Sequence, residues 1–363
     1  MTRIKHLYLH VPFCSSICYY CDFCHRIYSE DLSDRWLDVL EKEICEVCDD
    51  QYETIYIGGG TPTVLSYEQL KRILSLLKPF SKECIEYTIE VNPDSLDEEK
   101  ILLFKEYGIN RISMGVQSSD DELLKSIGRR HDFNTVKEKI SLLKKHDLKN
   151  ISVDLMYSLP GQDINILNQT IDDILALDVP HISLYSLTIE ENTVFGKKGI
   201  RNLDEDIEAD MYELIEKRLK ENGYIHYEVS NYCKEGYESK HNIGYWNYED
   251  FLGVSAGASS KIGDHRYTNT SSIEKYISSY KNRDEDLVLS KDDEEFEHIM
   301  MSFRTIYGLD LNEFNQKYQT DFMEKYHDII QSDLNSFYIE NKRISVRNLE
   351  ILNHILVRFL KSN

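Results

Sequence analysis

Cys14, Cys18, Cys21 and Cys24 crowd into one stretch, PFCSSICYYCDFC. The thiolate is the form of cysteine that binds iron or zinc, and four thiols on one short loop are otherwise an oxidation hazard. Gaps of three and then two residues let a tight loop aim Cys14, Cys18 and Cys21 at a common centre. A tetrahedral zinc site calls for four ligands, whereas closely spaced thiolates also hold a cube of iron and sulfide. Three sulfurs on such a cube leave one iron open. Cys24 reads as a bystander. Cys45 and Cys48 fall inside an amphipathic helical stretch with no partner pair nearby, and with Cys84 and Cys233 they read as core or surface thiols. Disulfides are disfavoured in a chain of 363 residues that shows no export signal.

Something must position that loop. It follows HLYLHV directly, so it sits at the C-terminal end of a predicted strand, where the active sites of parallel barrels lie. Further strands are predicted at ETIYIG near 53, EYTIEV near 86, INRISMGV near 109, NISVDLMY near 150 and HISLYSL near 181. Between them SDRWLDVLEKEICEV, SYEQLKRILSLL and NTVKEKISLLKKH carry apolar residues at three- and four-residue intervals. Alternation of this kind builds a parallel sheet covered by helices, and connections of one hand curl six units into an incomplete (β/α)6 barrel or a strongly curved open sheet. The fold class is therefore α/β, with residues 1–200 as the partial barrel.

After Leu187 the rhythm changes. An acidic helix, LDEDIEADMYELIEKRLKENG, reads as a solvated face, and the aromatic, Asn- and Gly-rich stretch from Tyr224 to about Tyr267 reads as irregular cover over one barrel end, within a segment 201–288. Residues 289–363 return to helical periods around KRISV, which predicts a small helical, winged-helix-like C-terminal domain with that strand as its wing.

Composition narrows the function. With 64 acidic against 42 basic residues, a net charge of -22 gives no positive field to replace counterions on DNA or RNA, so nucleic acid is excluded as an expected partner. No apolar run approaches the roughly 20 residues that span a bilayer, and the N-terminus lacks a signal-peptide order; a cytoplasmic protein is expected.

With those elements in place, CxxxCxxC after a first strand resembles the signature of the radical S-adenosylmethionine superfamily. LYLHVPFC, GGGTPT, EVNP, RISMGVQS, GRRH, DLMYSLPGQ, YEVSNY, HNIGYW and FLGVSAGA extend the resemblance, in order and over nearly the whole chain, to the family of oxygen-independent coproporphyrinogen III oxidases and their heme chaperone relatives. The resemblance implies a [4Fe–4S] cluster on Cys14, Cys18 and Cys21, whose open iron is chelated by S-adenosylmethionine; in that family an electron from the cluster can break a carbon–sulfur bond to give a 5′-deoxyadenosyl radical. It assigns Gly60 and Thr61 to the methionine end of the cofactor. Glu90, Gln117, Arg129 and Asp154 match positions lining its pocket: carboxylates and an amide suit the ribose hydroxyls and amino group, and the guanidinium suits the carboxylate. Tyr8 matches a position near cluster or ligand and reads equally as a barrel core residue.

Two functions of different class compete under this resemblance. His241 opens HNIGYW, which in the heme chaperones is associated with heme binding, and a neutral imidazole is an ordinary axial ligand of heme iron. The decarboxylating relatives carry a similar segment, in which His241 would only brace the barrel. The oxidase pattern has a fourth cysteine two places after the third, where this chain has Phe23, and it has an N-terminal extension, whereas this sequence begins thirteen residues before Cys14. Both departures favour a chaperone that binds heme and delivers it to a soluble or membrane-bound hemoprotein, with an electron donor for the cluster. Whether S-adenosylmethionine is cleaved stays open, and a radical S-adenosylmethionine enzyme acting on some other small molecule is a third reading of the resemblance. Ser259 stands in GASS where the chaperone pattern has a histidine, which removes any role for that histidine here.

Overall fold

The computed structural model describes residues 3–49 and 51–360. Six parallel strands follow one another at the expected places: β1 His6–Val11, β2 Thr54–Gly59, β3 Glu86–Val91, β4 Arg111–Gln117, β5 Ile151–Tyr157 and β6 His181–Ser186. Each pairs with the next in sequence order, so the chain winds one way round a curved sheet. The helices between them are α1 Glu30–Val47, α2 Tyr67–Leu77, α3 Glu98–Glu106, α4 Asp121–Ser126, α5 Phe133–Lys145 and α6 Ile164–Ala176. Ser29, Ser66, Asp97, Asp120, Asp132 and Asp163 open them, each side chain accepting an orphan N–H of the first turn.

Strand composition decides what faces what. In β1 the sequence alternates His6, Leu7, Tyr8, Leu9, His10, Val11, and parallel register aligns His6 with Thr54, Tyr8 with Tyr56, Thr54 with Glu86 and Tyr56 with Thr88. Leucines, isoleucines and valines of the other parity pack against the helices in one buried core. The polar parity lines the concave side, so the barrel lumen is polar and hydrogen-bonded rather than filled with aliphatic layers.

The stretch from Tyr224 to Tyr267, expected to be irregular, holds five short strands: β7 Ile225–Glu228, β8 Asn231–Cys233, β9 Phe251–Val254, β10 Ser259–Ile262 and β11 His265–Asn269. With β12 Arg283–Val288 they extend the sheet to twelve strands in the order β12-β11-β10-β9-β1-β2-β3-β4-β5-β6-β8-β7. The sheet stays open, as a partial barrel. Antiparallel hairpins of three to six residues bury too little per strand to show a clear apolar period, which is why sequence reading missed them. The acidic helix, α7 Glu205–Glu221, is tied to the barrel by Glu208, which accepts from Ser186 at 2.6 Å.

A short helix, α8 Lys240–Trp246, carries HNIGYW to the end of the lumen where the strands begin. Glu86 of β3 accepts the N–H groups of Lys240 and His241, each at 2.9 Å, a carboxylate at a helix N-terminus where the backbone dipole favours it. Gly244 is required by close packing: a Cβ there would lie 2.3 Å from His6 Nε2. Beyond it, α9 Lys291–Ser302, the strands β13 Leu309–Asp310, β14 Phe337–Glu340 and β15 Arg343–Val346, and α10 Leu352–Leu360 enclose a separate core of Phe303, Phe314, Phe322, Phe337 and Phe359. KRISV is the central strand of that three-stranded wing.

Candidate functional site

The cysteine loop is pinned at its base. Phe13 and Cys14 run parallel to Arg26 and Ile27, and the N–H groups of Arg26 and Tyr28 reach Pro12 O at 2.8 Å and Cys14 O at 2.9 Å. The turn after β2 lies against this base, with Gly60 N on Val11 O at 2.8 Å and Thr61 N on Phe13 O at 2.7 Å. No side chain fits at Gly60, since a Cβ would stand 2.6 Å from Phe13 O and 2.9 Å from Cys14 Sγ.

Polar groups stand beside each sulfur: Thr61 Oγ1 donates toward Cys14 at 3.7 Å, Arg129 Nη1 toward Cys18 at 3.6 Å, and His25 Nδ1 lies 3.8 Å from Cys21. Burial pushes the Cys14 thiol up to about 11 and that of Cys21 up to about 12. They are therefore protonated near neutral pH until a metal displaces the protons. Among the described residues no three His, Cys, Asp or Glu side chains converge on one point as ligands of a single ion. A cube takes each thiolate on a different iron, and this donor set suits that arrangement.

All three cysteines face a cavity of about 460 Å³ whose walls also carry Gly60, Thr61, Glu90, Gln117, Arg129 and Asp154. Elements far apart in sequence thus bring these expected site residues together around one cavity. Glu90 accepts from Tyr56 OH at 2.8 Å and Gly59 N at 3.0 Å, and burial lifts its carboxyl to about 7. Asp154, also raised by burial, accepts from Ser113 Oγ at 2.9 and 3.0 Å. Gln117 ends β4 with φ of 71°, the left-handed turn of backbone that directs its side chain into the cavity mouth region. Arg129 is clamped by Asn92 Oδ1 at 2.9 Å and Gly115 O at 2.5 Å. Sequence reasoning missed Asn92, which also donates to Thr61 Oγ1 at 3.1 Å; its signal was a polar side chain immediately beyond β3. The buried carboxylates, amide and guanidinium are complementary to a ligand with hydroxyls, an amino group and a carboxylate.

Tyr8 and His241 lie elsewhere. They line a second cavity of about 510 Å³ with His10, Tyr56, Tyr245 and Ser259. Phe23 and Tyr185 border both cavities. Tyr8 sits mid-strand on β1, hydrogen-bonded to His10 Nδ1 at 2.9 Å, and does not line the cysteine cavity. Ser259 is bonded to Thr268 at 2.8 Å. His241 is buried, and burial holds its imidazole well below the usual range, so the ring is neutral. Its Nδ1 meets Thr54 Oγ1 and its Nε2 meets Tyr245 OH, both at 2.7 Å. Aromatic walls and a neutral imidazole are a donor set that fits a planar metallomacrocycle.

Residues 8–174 match the Radical SAM superfamily. The chain is 38% identical over 365 residues to "Heme chaperone HemW" of Lactococcus lactis subsp. lactis (strain IL1403), spanning 97% of this chain and 96% of that protein. This chain belongs to the HemW family. A second HemW, from Bacillus subtilis (strain 168), is 39% identical and spans 87% of each chain. Among solved structures, the radical SAM enzyme coproporphyrinogen III oxidase (HemN) from Escherichia coli superposes with a TM-score of 0.85 at 20% identity, over 98% of this chain and 90% of that one. That likeness is one of fold, and it places the HemW-family chain on the same partial-barrel scaffold. No helix among the described residues is long and apolar enough to cross a membrane.

Proposed function

We propose that this chain is a cytoplasmic heme chaperone that holds a [4Fe–4S] cluster on Cys14, Cys18 and Cys21, S-adenosylmethionine in the first cavity and one heme in the second, and delivers heme to an acceptor hemoprotein, soluble or membrane-bound. When bound, the cluster supplies single electrons, drawn from a protein donor, at the sulfonium of its ligand. Glu90, Gln117, Arg129 and Asp154 orient that ligand, and Gly60 and Thr61 let backbone approach its methionine end. His241 holds the heme iron. The chain divides for this task into the barrel, 1–200, the segment bearing HNIGYW, 201–288, and the winged C-terminal part, 289–363.

One observation carries the reading: in a chain so similar to heme chaperones along its whole length, His241 lines an aromatic cavity bordered by the same Phe23 and Tyr185 as the cluster cavity. Phe23 also stands where the oxidase pattern has cysteine. The test is anaerobic reconstitution with iron, sulfide and S-adenosylmethionine, followed by addition of heme or of coproporphyrinogen III in parallel. Retention of one heme per chain with no decarboxylated product is expected. Conversion of coproporphyrinogen III with carbon dioxide release, and no stable heme complex, contradicts the reading.

A further inference from the structure

Phe23 and Tyr185 stand where the two cavities meet, each lining both. Their exposure is out of keeping with their chemistry. Phe23 is 67% exposed, and among the described residues no other phenylalanine is exposed. Tyr185 is 45% exposed, although the four residues before it on β6 are buried. Apolar surface held open to water inside a concave wall is surface whose burial a ligand recovers.

Neither ring is loose. The chain is pinned just beyond Phe23: Cys24 O lies 2.9 Å from His10 Nε2, and Cys24 Sγ donates to Ser271 O at 3.1 Å. The loop packs so closely on Gly257 that a Cβ there would stand 2.8 Å from Cys24 Cβ. Phe23 O itself lies 2.5 Å from His25 Nδ1. Tyr185 is fixed by its strand, in register with Met156 of β5. The walls behind them carry more rings, with Tyr8 and Tyr56 at 6.0 Å between centroids, Tyr56 and His241 at 5.2 Å, and Tyr245 and Phe251 at 4.5 Å. Polar atoms of these walls are bonded within the protein: Tyr8 to His10, Tyr56 to Glu90 and Ser259 to Thr268. What the second cavity offers a ligand is therefore mostly flat aromatic surface, already in place.

We propose that Phe23 and Tyr185 recognise the flat apolar ring of the macrocycle in the second cavity, and that this recognition is separable from the capture of its iron by His241. This rests on the heme reading for the identity of the ligand, and deepens it by naming the side chains that select its shape. Aromatic faces gain from packing on another π-system beyond the area they bury, so truncation at either position loses both contributions. A ring without metal keeps this part of the recognition and forfeits only what the imidazole supplies.

The experiment uses the full chain reconstituted with iron, sulfide and S-adenosylmethionine, so that the first cavity is filled. It is titrated with heme, followed by Soret absorption, and separately with metal-free protoporphyrin IX, followed by porphyrin fluorescence. The wild-type chain is expected to bind both, the metal-free ring more weakly. Phe23→Ala and Tyr185→Ala should each weaken protoporphyrin IX about tenfold, and Phe23→Tyr and Tyr185→Phe should keep its affinity. His241→Ala should weaken heme far more than protoporphyrin IX. Protoporphyrin IX affinity equal to wild type in folded Phe23→Ala and Tyr185→Ala overturns the proposal, and so does a wild-type chain that binds heme but not the metal-free ring. Should Tyr185→Ala not fold, Phe23→Ala decides alone, because its ring lies exposed on a loop and its removal opens no core. Heme binding unaltered by His241→Ala, beside porphyrin binding that depends on Phe23, would remove ligation by His241 and leave ring recognition standing.

Discussion

Glu86 and His241 lie 155 residues apart in sequence, yet the Glu86 carboxylate accepts the His241 backbone N–H at 2.9 Å and locks the HNIGYW helix across the start of the barrel. The same carboxylate takes Lys240 N, so one side chain satisfies two N–H groups that the helix itself leaves unpaired. Charge-assisted bonds of this kind contribute about 1.5–3 kcal/mol when buried. Glu86→Ala should lower the unfolding free energy in urea by about 2 kcal/mol and loosen α8, seen as faster amide exchange at Lys240 and His241. Stability and exchange equal to wild type would contradict this role.

Cluster loading should depend on pH in a defined sense. Because burial holds the Cys14 and Cys21 thiols up at about 11 and about 12, bound metal must displace their protons. Iron and sulfide content after reconstitution should therefore fall as pH is lowered, and Cys14→Ala, Cys18→Ala and Cys21→Ala should each remove most of the visible absorption. Cys45, exposed on α1, serves as the control, and Cys45→Ala should load fully.

A second pH effect belongs to the fold. Glu43 on α1 is buried beneath the strand extension, accepting from Ser255 N at 2.8 Å, Asn269 Nδ2 at 2.9 Å and Tyr276 OH. Burial lifts its carboxyl from the ordinary 4.5 to about 7. The folded state thus holds a proton that the unfolded chain releases more readily. Its stabilising contribution is complete below about pH 4.5 and is lost as pH rises through about 7, a change on the order of 1–3 kcal/mol. Melting temperatures across that window should show a decline that Glu43→Gln flattens, at the cost of the bond from Asn269. Identical slopes for the two proteins would exclude Glu43 as the source.

Much of this was legible in sequence because local signals and tertiary roles agree. The six strands and the cysteine spacing each act over a few residues, and the expected site residues meet at one cavity once strand ends converge. Two features were hidden. In HLYLHV the alternation of His6, Tyr8 and His10 with leucines has the period of a strand between core and water, yet here the polar side faces a lumen closed by α8. Nothing local distinguishes a polar lumen from solvent. The partners of His241 were hidden for a related reason: Thr54 and Tyr56 look like ordinary strand residues until register sets them beside β1 and under α8. Tyr8, which resemblance matches to a position near cluster or ligand and which reads equally as barrel core, lines the second cavity from mid-strand.

Heme ligation by His241 is tested most directly by a spectral titration of the reconstituted full-length chain with heme, beside the His241→Ala variant and with iron and sulfide content matched. The wild-type chain should take up one heme with a Soret band characteristic of nitrogen ligation, and the variant should bind at least about tenfold more weakly with an altered spectrum. Equal stoichiometry, affinity and spectra in the two proteins would contradict ligation by this imidazole.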